Sequence, residues 1–197
     1  FPVNERLIPT FEEKVLEVRA DSQVVQDWKG NVCEIGLEYS TEYLRNALDF
    51  VTRRWIKCPV ESRGDWEQME ARYDSDAAAR LPSDPAALGR TLAARDWPVG
   101  LHFSGPFWQL REWLGFESLC TLLIDDPDWV HEMILFWERH VARLLERAFA
   151  HVIPDFVWLS EDMAYKEHAM ISPAMVREFL LPTWRRWGEI VRGAGVP

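Results

Sequence analysis

Four consecutive apolar residues, Phe156-Val157-Trp158-Leu159, stand between two long amphipathic patterns, and they restrict the fold more than any other stretch. Before them, Asp126-Pro127 opens a helical pattern that runs to about His151. Its apolar stripe is Val130, Ile134, Trp137, Val141, Leu144 and Ala148, and its polar face carries Glu132, Arg139, Arg143 and Arg147. Pro154 ends the connection. After the run, Ser172-Pro173 caps and opens a second helix that presents Val176, Phe179, Leu180, Trp184 and Trp187. Pro182 should kink this helix, because proline has no N–H and its ring crowds the preceding turn. A short apolar run between two such helices predicts a buried strand of a parallel α/β fold.

The same alternation begins upstream. Asp84 is placed to cap a helix from Pro85 to Arg95, and Trp97–Phe103 predicts the next strand. Pro106–Leu114 and Phe116–Leu123 predict helical segments. The first part of the chain reads differently. Residues 1–10 are turn-like, and three short β-rich runs follow: Val15–Val18, Val24–Trp28 and Val32–Ile35. Turn signals at Ala20-Asp21-Ser22 and Lys29-Gly30-Asn31 separate them, which predicts an antiparallel meander. Thr41–Asn46 predicts a helical turn and Phe50–Val60 an extended segment. Arg63–Tyr73 predicts a short helix with Trp66, Met69 and Tyr73 on one face. Residues 77–84 predict a linker. The chain divides into a β-rich segment, 1–60, and an α/β segment, 61–197.

Thirty-two acidic against twenty-two basic side chains give a net charge of -10. That excludes a nucleic-acid or anionic-membrane partner held by bulk charge. Cys33, Cys58 and Cys120 are dispersed, without CxxC spacing, and predict buried thiols in a reducing compartment. With no leader pattern and no long apolar run, a cytoplasmic setting is the expectation. The chain starts at Phe1-Pro2 without Met and ends in Gly193-Ala194-Gly195-Val196-Pro197, a helix stop followed by what reads as the start of a strand. It is expected to be an internal piece of a longer protein, because a full (β/α)8 barrel has about 250 residues.

Ser160, Glu161 and Asp162 leave the apolar run at its carboxyl end, where α/β barrels place their chemistry. Glu161 and Asp162 are the candidate catalytic groups, as proton donor and acceptor or as a grip on a polar substrate group. Adjacent residues point to different sides, so one of the two would face the site. Gly105 and Trp108 mark the other strand end, with Gly allowing close backbone approach and Trp offering a flat wall for a ring-shaped ligand. Trp113 is a second apolar wall, and His102 and Tyr165 complete the candidate substrate-binding set. His131-Glu132 lacks the second His of a zinc-protease helix, since Leu135 stands there. Neither a phosphate-binding GxxxxGK[ST] loop nor a GxSxG nucleophile turn occurs.

Two stretches carry a family resemblance: Gly105-Pro106-Phe107-Trp108-Gln109-Leu110, and the acidic pair Glu161-Asp162 leading into Ser172-Pro173-Ala174-Met175-Val176-Arg177-Glu178-Phe179-Leu180-Leu181-Pro182. Together they resemble the uroporphyrinogen decarboxylase superfamily, over roughly Trp97 to Pro197. That superfamily holds porphyrinogen decarboxylases and zinc-dependent methyltransferases that act on corrinoids. The resemblance implies a partial (β/α)8 TIM barrel with a small antiparallel β excursion on its rim. Its decarboxylases place a Tyr one turn beyond the Gly-x-Pro-Trp start, where this chain has Trp113, and an Asp-Ser pair where it has Glu161-Asp162. Its methyltransferases resemble this chain in an acidic pair followed by a Tyr-bearing loop, here Met163-Ala164-Tyr165-Lys166.

The resemblance therefore implies an enzyme of the methyl-transferring branch, with a tetrapyrrole or corrinoid substrate and a corrinoid protein as candidate partner. It implies no metal ligands in this chain; zinc and a methyl-corrinoid would belong to the full-length protein, with zinc ligands beyond Pro197. This chain alone is expected to lack that turnover. The other readings are a porphyrinogen decarboxylase with an altered pocket, a carbohydrate-active barrel and a binding module without chemistry.

Overall fold

The computed structural model of the chain describes residues 1–46 and 51–196, which form two compact units. One is Leu7–Tyr73; the other joins Phe1–Arg6 to Asp74–Pro197.

In the first unit, β1 (Lys14–Val18), β2 (Ser22–Gln26), β3 (Val32–Gly36) and β4 (Arg54–Lys57) form an antiparallel sheet in the order β1-β2-β3-β4. The expected meander is present. Two-residue alternation puts Val25, Cys33 and Ile35 on one face, where α1 (Thr41–Asn46) covers them with Leu44. The opposite face binds charge to charge: Arg19 pairs with Glu17 and Glu34, and Ser22 donates to Glu34. Both edge strands are bulged, with one extra residue at Leu16 in β1 and at Ile56 in β4. A bulge twists an edge away from further pairing. β4 accounts for part of the extended run 50–60, whose Phe50 lies outside the described residues. α2 (Arg63–Glu70) is capped by Ser62 and buries Trp66 and Met69, with Tyr73 buried beyond its end. The first unit thus ends at Tyr73.

The second unit carries the alternating part of the chain. α3 (Pro85–Ala93) precedes β5 (Gly100–Ser104); α4 (Pro106–Leu114), α5 (Phe116–Asp125) and α6 (Pro127–Phe149) connect β5 to β6 (Phe156–Ser160). β5 and β6 pair in parallel, with Ser104 opposite Ser160. Leu101 and Phe103 of β5 are buried, as are Trp113 of α4 and the whole predicted stripe of α6. α6 is tied to the end of β5, where Trp137 Nε1 donates to the Ser104 carbonyl at 2.9 Å. The linker 77–84 holds a short 3-10 turn, Ala78–Arg80, whose Arg80 is buried and donates to the carbonyls of Asp74, Asn4 and Arg6.

The last helix is not continuous. It begins as α7 (Pro173–Met175), widens into a π-turn (Val176–Leu180) and resumes as α8 (Leu181–Gly193). The disturbance expected of Pro182 is therefore a wide turn just before it. The ring excludes the carbonyl of Glu178, and the chain takes in one more residue per turn there. α8 returns to α6: Trp187 Nε1 donates to the Glu138 carbonyl and Thr183 to its carboxylate. Val196 is buried, and Pro197 lies outside the described residues.

Two expectations are corrected. The partial (β/α)8 barrel is not formed. Strands lie in two separate sheets, one antiparallel with four strands and one parallel with two, and two parallel strands make no barrel wall. The run that could have supplied a third parallel strand, Arg54–Lys57, pairs antiparallel with β3 instead. The β excursion is likewise a compact unit of its own rather than a decoration of a rim. Second, β6 is not buried on both sides. Phe156 and Trp158 are exposed, Trp158 by 61%. Four apolar residues in a row announce a strand but do not tell which face finds a cover.

No helix of the described residues is long and apolar enough to cross a membrane.

Candidate functional site

The parallel ladder runs one step past the strands: the Gly105 N–H donates to the Ser160 carbonyl at 2.8 Å. Glu161 follows and turns toward the start of α4. Its carboxylate accepts from the N–H groups of Phe107 at 3.4 Å and Trp108 at 3.0 Å, and from the Trp184 indole of α8 at 3.0 Å. The reason lies in the sequence of α4. Pro85, Pro127 and Pro173 open helices capped by the side chains of Asp84, Asp126 and Ser172. Pro106 opens α4 behind Gly105, which has no side chain to offer. Glu161 supplies the missing cap from the neighbouring strand, and its charge sits at the positive end of the helix. A Cβ on Gly105 would stand 2.1 Å from the Glu161 carboxyl carbon, so the glycine is there for space. Burial pushes the Glu161 carboxyl above its usual range, and these hydrogen bonds pull against that.

Asp162 points elsewhere. Arg111, on α4, donates to its carboxylate at 2.8 Å and to its backbone carbonyl at 2.8 Å, and reaches Met170 Sδ at 3.5 Å. The same guanidinium lies 5.3 Å from the Trp108 ring centroid. Trp108, Arg111 and Asp162 thus form one stack at the strand ends. Trp108 is half-buried with a cation on it, and Trp113 is a core residue, 2% exposed and edge-on to Trp137 at 5.6 Å. The expected pair of apolar walls is not formed by these two. Tyr165 is exposed on a loop closed by the Ala164–Ala169 bridge, edge-on to His168.

His102 is exposed on the face of β5 that no helix covers among the described residues. Its Nε2 stands 2.6 Å from Ser160 Oγ, and its ring lies 5.3 Å from that of Trp158. Glu5 closes the group. Its half-buried carboxylate accepts from the Ser104 N–H at 2.9 Å and the Ser104 hydroxyl at 2.8 Å. Burial pushes its pKa up, opposed by the Ser104 bonds and by the charge of nearby His102.

The strand ends therefore gather Gly105, Glu161, Asp162, Trp108 and His102 of the predicted set, with Tyr165 on the adjoining loop, and leave Trp113 in the core. The sequence pattern assigned no site role to Arg111, Ser160, Trp184 or Glu5. Arg111 was within reach, because it lies three residues after Trp108 on the same helical face. Glu5 gave no local signal; it belongs to a turn-like segment, 99 residues from its partner.

Among the described residues no group of three or more His, Cys, Asp or Glu could hold a metal ion. Cys33 lies in the core of the first unit, where burial pushes its thiol up to about 11, and burial also raises Cys120 on α5. Thiols so held disfavour the thiolate that zinc binds. The zinc implied by the resemblance has its ligands expected beyond Pro197, and Cys33 and Cys120 are poor stand-ins for them. No family model, curated protein or solved structure matches this chain.

Proposed function

We propose that this chain belongs to a cytoplasmic methyl-transferring enzyme related to the uroporphyrinogen decarboxylase superfamily, and that the ends and open face of β5 and β6 bind a flat tetrapyrrole-type substrate, a corrinoid. The observation that carries the reading is the interlock of the two resembling segments. Glu161 of one caps α4 of the other, and Gly105 leaves the room for it. The resemblance thus rests on residues that depend on one another, not on two separate matches.

The chain's own groups have distinct parts in this reading. Glu161 is a positioning residue, since its oxygens already accept three donors. Arg111 and Asp162 supply polar contacts at the strand ends. Trp158, with His102 and Ser160 beside it, offers a ring face and hydrogen-bonding groups to a planar ligand. Trp113 favours methyl transfer over porphyrinogen decarboxylation. It stands where the decarboxylases place a tyrosine hydroxyl, and it is sealed in the core.

Isothermal titration of the chain with methylcobalamin and, separately, with uroporphyrin tests this. Saturable corrinoid binding, weakened roughly tenfold in Trp158→Ala, is expected. Porphyrin binding without corrinoid binding would move the chain to the decarboxylase side, and binding of neither would sink the reading.

A further inference from the structure

We propose that Ser160 is a nucleophilic hydroxyl activated by His102, and that the open face of β5 and β6 accepts small aryl esters for acyl transfer. This goes beyond methyl transfer and does not rest on it. Three observations carry it. The first is the 2.6 Å approach of Ser160 Oγ to His102 Nε2, within the reach that a hydroxyl nucleophile needs from its base. Neighbouring parallel strands in fixed register hold both groups, so the approach does not depend on a mobile loop.

The second is an acid close to the base. Glu5 is half-buried and anchored on Ser104, two residues along β5 from His102. A carboxylate near a histidine favours the imidazolium that forms when His102 takes a proton. The third is the approach to the hydroxyl. Phe156 and Trp158 precede Ser160 at two-residue spacing on β6, and both are exposed. An aryl group lying along them brings an ester carbonyl toward Ser160.

The step balances without another reagent. The Ser160 hydroxyl proton passes to His102 Nε2 as the oxygen bonds to the acyl carbon. The aryl–oxygen leaving group departs as the carbonyl re-forms and takes that proton from Nε2. Water then attacks the acyl-serine ester and gives a proton to Nε2, and Ser160 recovers its hydrogen as the acid is released.

The test is covalent labelling of the chain by an aryl fluorophosphonate, followed by peptide mass mapping. One adduct is expected to form, on Ser160. His102→Gln should slow it by at least about tenfold, and Ser118→Ala, on an exposed turn of α5, should leave it unchanged. Ser160→Cys keeps a nucleophile of similar size should Ser160→Ala fold poorly. Its new thiol should be alkylated by iodoacetamide at neutral pH at least about tenfold faster with His102 present than in the His102→Gln background. Absence of an adduct on Ser160, or equal rates with and without the His102→Gln substitution, would overturn the proposal.

Discussion

Gly105 and Glu161 show how one missing atom organises a site. The backbone of Gly105 has φ -73, which any residue adopts, so conformation does not demand glycine here. Space does. Gly105→Ala should cost about 2–3 kcal/mol in denaturant unfolding, because the added methyl displaces the Glu161 carboxylate from the Phe107 and Trp108 N–H groups. In a Glu161→Ala background the same change should cost far less, with a coupling of at least about 1 kcal/mol. Additive costs would show that the two residues do not share the space. This pairing also gives Glu161 a structural part beside the catalytic one expected of it. An acidic residue at a strand end reads as chemistry, and Glu161 does follow the end of β6. Its occupation by three donors follows from a glycine 56 positions away in the chain, which no local pattern reveals.

At the scale of elements, local rules were legible wherever the stabilising partner lies within a few residues. Asp84-Pro85, Asp126-Pro127 and Ser172-Pro173 announce helix starts because cap and capped N–H are neighbours, and each cap is made. Asp84→Ala should lower unfolding stability by about 1 kcal/mol, and Asp84→Ser should restore most of it. An equal loss in both variants would mean that the cap bond contributes nothing. The stripe of α6 was legible for the same reason of periodicity. What was not legible needed a distant partner. Arg54–Lys57 reads as extended in either fold, but only β3 decides that it joins the antiparallel sheet. Val157 and Leu159 alternate with Phe156 and Trp158 in one apolar run, and the burial of either face depends on what packs there.

For the whole molecule, the acidic balance hides two opposed groups of carboxyls. Asp155, bonded by the Val99 N–H and Arg95, and Glu34, bonded by Ser22 and Arg19, are held below their usual range. Their contribution is present above the ordinary carboxylate value and is lost as pH falls through the lowered one. Glu5 and Glu161 behave in reverse, since burial raises both. The folded state keeps their protons longer than the unfolded chain does. Their contribution is therefore full below the ordinary glutamate value of 4.5 and declines as pH rises through the raised ones. Glu5→Gln isolates this effect, because an amide keeps one oxygen for Ser104 and cannot ionise. Urea unfolding of both proteins from pH 4.5 to about 7.5 should show the variant gaining on the wild type as pH rises. The gain comes from the ionised Glu5 that only the wild type must bury. A difference independent of pH would mean that Glu5 ionises as readily in the folded protein as in the unfolded chain, and that its burial against Ser104 carries no penalty for charge.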